Sequence, residues 1–195
     1  MSEVSTSSAQ NEGRIGPGRL MLVVGPSGAG KDTLIALAKE QCQDLDDIVF
    51  VRRVVTREAS VFENNEQLSM DDFHAARARG DFALHWEAHG QCYGLPRSID
   101  DAIRHDRTIV ANVSRSVIAT ARAAYADVLV VAITAPAEVL AQRLAQRARS
   151  SDGAISERLN RAADNVDAMP DRSIENVGDA ALHAAEFVRI IRGRD

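Results

Sequence analysis

The chain has 195 residues and is poor in cysteine: Cys42 and Cys92 are the only two. Their number and separation fit neither a disulfide framework nor a zinc site, and the reading is of two reduced thiols in a cytoplasmic protein. No apolar run approaches the ~20 residues that cross a bilayer, so no membrane partner is expected. Positive charge is in deficit, with 23 Lys and Arg against 28 Asp and Glu and a formal net charge of −5. A nucleic-acid binder usually carries a basic excess, so that class is disfavoured. An acidic protein that handles anions must gather its cations locally, which makes the arginine clusters informative. Histidines 74, 85, 89, 105 and 183 show no metal-ligand spacing. Residues 1–18, MSEVSTSSAQNEGRIGPG, lack the basic start and apolar core of a secretory signal. Small and polar, they read as a disordered tail. That leaves residues 19–195 as one domain with a full core.

What is present alternates. Arg19 to Val24 (RLMLVV), Ile48 to Val55 (IVFVRRVV), Thr108 to Val113 (TIVANV) and Val128 to Thr134 (VLVVAIT) read as buried strands. Asp32 to Gln41, Met70 to Arg79, Ser98 to His105, Pro136 to Arg149, Ser156 to Ala168 and Asp179 to Arg192 read as helices. Phe82 to Tyr93 reads as short strands around a turn at His89-Gly90. The alternation predicts an α/β fold, a parallel β-sheet core flanked by helices. Ligands in such folds collect beyond the carboxyl ends of the strands.

Gly25-Pro26-Ser27-Gly28-Ala29-Gly30-Lys31-Asp32-Thr33 stands at such an end and opens a helix. Gly, four residues, Gly-Lys is the spacing of a P-loop. Its glycines let successive backbone N–H groups face inward, and with the helix N-terminus they make a nest for the phosphates of a nucleoside triphosphate. Lys31 adds a point charge for the outer phosphates. The residue after the Lys is usually a Ser or Thr whose hydroxyl reaches magnesium; here it is Asp32. Asp32 either holds magnesium, directly or through water, or complements the helix dipole, and both readings stay open. Thr33 is a substitute for the missing hydroxyl. No strand ends in a clear metal-holding acid, which favours a small-molecule kinase over a mechanical ATPase.

Arg52, Arg53 and Arg57 leave the second strand together, and alternation gives Arg53 and Arg57 to one anion site. A second group, Arg143, Arg147, Arg149, Arg158 and Arg161, flanks a small, polar stretch around Ser150 to Ala154 with the composition of a flap. Arginines on a closing flap neutralise a moving phosphoryl group and exclude water. Trp86 reads as core, while Trp86 and Tyr93 are also candidates for a pocket wall.

Taken together, GPSGAGK, Thr56-Arg57, Trp86…Gly90…Tyr93-Gly94 and the run from Leu140 through Arg147 to Arg158-Leu159 resemble the guanylate-kinase-related nucleotide kinases. The resemblance extends from about Arg19 to the C-terminus. It implies a P-loop nucleotide kinase with an inserted substrate-binding region at about 56–95 and a helical lid at about 147–158. It matches Arg147 and Arg158 to lid arginines on the nucleotide phosphates, and Asn176 to an Asn beside the adenine. The departures are informative. The base-recognising Glu of guanylate kinases falls at Leu84, the Ser/Thr after Tyr-Gly at Leu95, the phosphate-binding Tyr at Asn65 and the middle-strand Asp at Asn112. An apolar site gains nothing from a guanine edge, and cation is added at Arg53 and Arg115. Loss of a base reader with gain of cation describes a sugar bisphosphate.

That pattern is similar to the ribose 1,5-bisphosphate phosphokinases, through Lys31-Asp32, Arg53-x-x-Thr56-Arg57, Glu63-Asn64-Asn65, Trp86-x-Ala88-x-Gly90-x-x-Tyr93-Gly94 and Asn112-x-Ser114-Arg115. Cys92 and Glu66 stand where that family suggests an aromatic and a His. The resemblance implies transfer of the γ-phosphoryl of ATP, with Mg2+, to ribose 1,5-bisphosphate, in phosphonate breakdown or in supply of 5-phosphoribosyl diphosphate. Lys31, Arg147 and Arg158 would be catalytic. Gly25 to Thr33 and Asn176 would bind the donor, with Asp32 or Thr33 at the metal. Arg53, Arg57, Asn65, Tyr93, Asn112 and Arg115 would hold the acceptor. The expected partners are a phosphorylated sugar and a nucleotide, with monomer and homodimer both open. The rival readings are a nucleoside monophosphate kinase, including guanylate kinase, and a guanylate-kinase-like binding module without catalysis.

Overall fold

The computed structural model describes residues 13–56, 65–148 and 169–193, with backbone alone at 146–148. In chain order the elements are β1 (Ile15–Val24), α1 (Lys31–Gln41), β2 (Ile48–Phe50), β3 (Val54–Val55), β4 (Glu66–Gln67), α2 (Met70–Arg79), β5 (Phe82–Ala88), β6 (Gln91–Pro96) and α3 (Ser98–Arg104). Then follow β7 (Thr108–Asn112), a 3-10 turn (Arg115–Val117), α4 (Ile118–Ala124), β8 (Tyr125–Thr134), α5 (Ala137–Ala148), β9 (Arg172–Glu175) and α6 (Ala180–Ile191). Among the described residues no helix is long and apolar enough to cross a membrane.

Five strands form a parallel sheet in the order β2-β7-β1-β8-β9. β1 lies at its centre, which is why RLMLVV carries almost no polar residue: both of its faces are covered. Alternation sends Leu20, Leu22 and Val24 into one core with Ile99, Ile103, Ile118 and Ala121. Met21 and Val23 go into the other, with Leu34, Ala38, Ala184 and Phe187. A second sheet, β4-β3-β6-β5, stands beside the first. Its β5–β6 hairpin turns at His89 (φ 54) and Gly90 (φ 70), the paired positive φ values that a two-residue turn matched to strand twist requires.

Three expectations are corrected. Ile48 to Val55 is not one strand. β2 pairs with β7 through Phe50, and Val54-Val55 pairs with Gly94 and Tyr93 of β6 in the other sheet. The charged pair Arg52-Arg53 cannot continue into a buried strand, so the chain changes sheet there. Alternation of faces across that stretch fails with it, and Val54 and Val55 are both buried. The tail assigned to 1–18 ends sooner, because Ile15 already pairs with Tyr125, and a register shift before Arg19 absorbs Gly16-Pro17. Finally, α4 and β9 escaped the sequence reading. β9 has a single buried side chain, Ile174, so it shows no apolar run. The helix expected at Ser156 to Ala168 lies outside the described residues.

At the far end of the sheet the Tyr125 hydroxyl donates to Asp100 Oδ1 at 2.7 Å, with Tyr125 2% and Asp100 4% exposed. Burial, then the Asp100 carboxylate, raises the phenol pKa above its ordinary value. Among the described residues, Tyr125→Phe leaves that carboxylate with Arg97, at 3.4 Å. Urea unfolding should show a loss of about 1–3 kcal/mol; a variant as stable as the parent would refute this role for the pair.

Candidate active site

The loop between β1 and α1 folds as the glycine pattern requires. Gly25 has φ 144 and Gly30 φ 88. A Cβ on Gly25 would overlap the Ile133 carbonyl oxygen, and one on Gly30 the Asn176 side-chain amide. Lys31 Nζ donates to the carbonyls of Gly25 (2.8 Å) and Pro26 (2.9 Å). Asn176 Nδ2 donates to Ala29 O at 2.7 Å. Arg143 of α5 donates to Gly28 O (3.3 Å) and Ala29 O (3.4 Å) through Nη1, and to Asn176 O (3.0 Å) through Nη2. Ala29 N–H closes a turn on Pro26 O at 3.3 Å, and with these carbonyls held the cavity face of the loop is turned toward an anion. Asn176 is 3% exposed, and its Oδ1 has no hydrogen-bond partner among the described residues.

A cavity of about 420 Å³ opens beyond the carboxyl ends of β1 and β7, where ligands collect in such folds. Gly25, Ser27, Gly28, Gly30, Lys31 and Asp32 form its loop side. Trp86, Ala88, His89, Gln91 and Tyr93 of the hairpin form the opposite wall, with Arg53, Asn112, Val113 and Ser114 between them. The Trp86 and Tyr93 rings stack with centroids 5.4 Å apart and planes 7° apart.

A polar chain crosses from the loop helix to the acceptor side. Asn112 Nδ2 donates to Asp32 Oδ1 at 2.7 Å. Arg53 Nη2 lies 3.8 Å from the same oxygen, and Arg53 Nε donates to Asn65 Oδ1 at 3.2 Å. Arg52 Nη2 donates to Asn65 O at 3.0 Å. Asp32, Arg53, Asn65 and Asn112 also line a second, smaller cavity of about 170 Å³.

Of the residues expected at the site, the structure brings together Gly25 to Asp32, Arg53, Tyr93 and Asn112, with Asn65 behind Arg53. Pro26 and Ala29 take part through their backbone. Arg115 is half-buried beside the lining residue Ser114. Thr33 is corrected: it is exposed and lines neither cavity. One step along a helix turns a side chain by about 100°, so Thr33 does not share the direction of Asp32. Arg57 and Arg158 lie outside the described residues, and Arg147 falls where only backbone is described. Sequence reasoning named Arg143 only as one of the arginines flanking the flap, because helical spacing gives a face but not its neighbour. It named Ala88 only as a motif position and His89 only as a turn residue, and it passed over Gln91. Period-two alternation from Trp86 and Tyr93 was the available signal for Ala88 and Gln91.

The loop, the sheet order and the cavity define a P-loop kinase of the guanylate-kinase-like class. A guanylate kinase from Anaplasma phagocytophilum shares the fold, with a TM-score of 0.64 at 21% identity over 90% of this chain and 85% of that one. A family model described as an AAA domain matches residues 20–169. Two curated relatives are closer in sequence. The ribose 1,5-bisphosphate phosphokinase PhnN of Rhodopseudomonas palustris is 64% identical over 91% of this chain and 90% of that protein. That of Bradyrhizobium diazoefficiens is 57% identical over 98% and 97%. The chain belongs to the ribose 1,5-bisphosphate phosphokinase family.

The close approach at Gly30 gives a direct check on the loop. Gly30→Ala drives a methyl against Asn176 at a φ that L-residues rarely adopt. Calorimetry should show ATP affinity reduced at least about tenfold, roughly 1.4 kcal/mol, with an unchanged circular-dichroism spectrum. Parent-like affinity would contradict the loop geometry.

Proposed function

We propose that the chain transfers the γ-phosphoryl group of ATP to the 1-phosphate of ribose 1,5-bisphosphate, giving 5-phosphoribosyl diphosphate and ADP. The observation that carries the reading is Arg53, held across one cavity from the phosphate loop, while the positions of a guanine reader are shut away. Leu84 and Leu95 pair across the hairpin and are buried at 2% and 0% exposure in the core. Asn112 is already engaged by Asp32. The ribose 1,5-bisphosphate phosphokinase named in the relatives above acts, by that name, on the same acceptor.

In the reaction an oxygen of the 1-phosphate forms a bond to the γ-phosphorus, and the bond from that phosphorus to the β-phosphate oxygen breaks, releasing ADP. The attacking oxygen is already anionic, so no strong general base is needed; positioning and charge neutralisation carry the catalysis. Lys31 and the loop N–H groups hold the donor phosphates. Arg53, with Arg57, Asn65, Asn112 and Arg115, serves the acceptor, and Tyr93 on its Trp86 stack walls the sugar. Arg147 and Arg158 take the role of lid arginines over the transferring group. Asn176 braces the loop through Ala29 O, and the family resemblance assigns it to the adenine side of the donor site. Magnesium usually takes one or two protein carboxylates and fills its remaining positions with phosphate oxygens and water. Asp32, a hard oxygen donor directly after Lys31, fits that requirement. When bound, the ion would neutralise charge on the outer phosphates. The absence of membrane-crossing helices among the described residues and the pair of buried free thiols are in keeping with work in the cytoplasm.

Side-by-side assays with ATP and either ribose 1,5-bisphosphate or GMP separate this reading from a nucleotide kinase. Turnover of the sugar bisphosphate is expected, and preferred turnover of GMP would overturn it. Arg53→Ala should lower kcat/KM for the sugar bisphosphate by about 100-fold, or ~3 kcal/mol, with ATP binding retained.

A further inference from the structure

We infer that Asp32 is a positioning residue for the acceptor side, acting through Arg53, and that it thereby couples the donor loop to the acceptor cation. The inference rests on the function proposed above and goes beyond it. Three observations carry it. First, the Asp32 carboxylate is not simply turned to solvent at a helix end. Its Oδ1 accepts a 2.7 Å bond from Asn112, the length of a charge-assisted contact. Second, Arg53 is fixed from two directions, by Asp32 at 3.8 Å and by Asn65 at 3.2 Å, and its side chain is only 13% exposed. The planar guanidinium recognises a phosphate through a fork of fixed geometry, so two supports fix the plane of that fork. At 3.8 Å the contact to Asp32 is an ion pair rather than a hydrogen bond, and it orients the cation through its field. Third, the four residues come from four separate pieces of chain: the start of α1, the crossover after β2, the approach to β4 and the end of β7. Only Asp32 among them adjoins Lys31. It is therefore the point at which the donor side meets the acceptor cation.

A carboxylate suits this place better than a hydroxyl. A Ser or Thr side chain is shorter and uncharged, so it can neither span to both Asn112 and Arg53 nor hold a guanidinium by charge. Removing Asp32 also leaves Asn112, 7% exposed, without its hydrogen-bond acceptor, which is costly in a buried setting. The effect of losing Asp32 should thus appear at the acceptor before it appears at the nucleotide.

The test is a double-mutant cycle of Asp32→Ala, Arg53→Ala and the combination. It is read by calorimetric affinity for ribose 1,5-bisphosphate, by KM for ATP and by the magnesium concentration for half-maximal rate. Measured without nucleotide or magnesium, Asp32→Ala should weaken sugar bisphosphate binding about tenfold or more, a loss that a role at the metal alone would not produce. The double variant should bind no more weakly than Arg53→Ala alone, because residues acting through one another are non-additive. Additive losses overturn the inference. So does an unchanged acceptor affinity with a raised magnesium requirement, which would make Asp32 a metal ligand alone. Asp32→Asn, which keeps the shape and an acceptor oxygen but loses the charge, decides the same question if the Ala variant fails to fold. The Arg53 Nε–H resonance of the protein without ligands should shift and broaden in both Asp32 variants, and an unmoved signal refutes the link. That readout does not involve the acceptor. Failure of the parent protein to bind ribose 1,5-bisphosphate would therefore sink the proposed function without deciding the Asp32–Arg53 link.

Discussion

The structure depends on one constraint: a loop that offers its N–H groups to an anion must find other partners for its carbonyls. Buried backbone acceptors left unpaired are costly. Here Lys31 takes the carbonyls of Gly25 and Pro26, and Asn176 with Arg143 takes those of Gly28 and Ala29. Two of these partners come from far along the chain, from α5 and from the turn after β9. The loop is therefore not a local motif placed on a finished sheet. It exists because β1, β8 and β9 bring its supports into register, with Asn176 N itself bonded to Thr134 O at 2.8 Å.

The same reasoning joins two features that stand eighty positions apart. Asp32 departs from the usual hydroxyl after the loop lysine, and Asn112 departs from the middle-strand acid of the guanylate-kinase-related enzymes. In the structure the two side chains touch. The acid has in effect moved from the strand to the helix, and an amide has taken the strand position to support it. Two carboxylates at that spacing would repel each other and crowd a site meant for phosphates. One carboxylate with an amide leaves a single negative charge, and Arg53 lies within reach of it.

Much of the fold was legible because its signals are local. Four apolar runs, a Gly-Lys loop and six periodic segments were enough for a parallel sheet with helices; β1 starts four residues before its expected bound and β7 ends one residue short of its own. The loop was legible for the same reason, since its chemistry lies in consecutive residues. The acceptor side was less so. Arg53 was singled out as part of a strand, and what places it is a change of sheet that no periodicity reports. Asn65, expected at the acceptor, accepts from Arg53, a contact that no sequence pattern reports. Arg143 was named with the flap arginines and His89 as a turn residue, but helical spacing and turn chemistry do not say that one meets the loop carbonyls and the other lines the cavity.

Charge ties the two halves of the site to the rest of the chain. The net charge of −5 disfavours loose binding of polyanions, while the cavity gathers Lys31 and Arg53 beside an array of loop amides. A substrate carrying two phosphates is attracted only where those groups converge. Local cation alone would also favour any small phosphate, so selectivity has to come from geometry. A flat aromatic pair stands on one wall, a guanidinium of fixed plane beside it, and a phosphate nest opposite. Among the described residues, the hairpin positions that would read a base are instead filled by buried leucines. The hairpin thus carries core leucines where the guanylate-kinase-related enzymes carry a base reader, while the cavity beside it places the charges of Lys31 and Arg53.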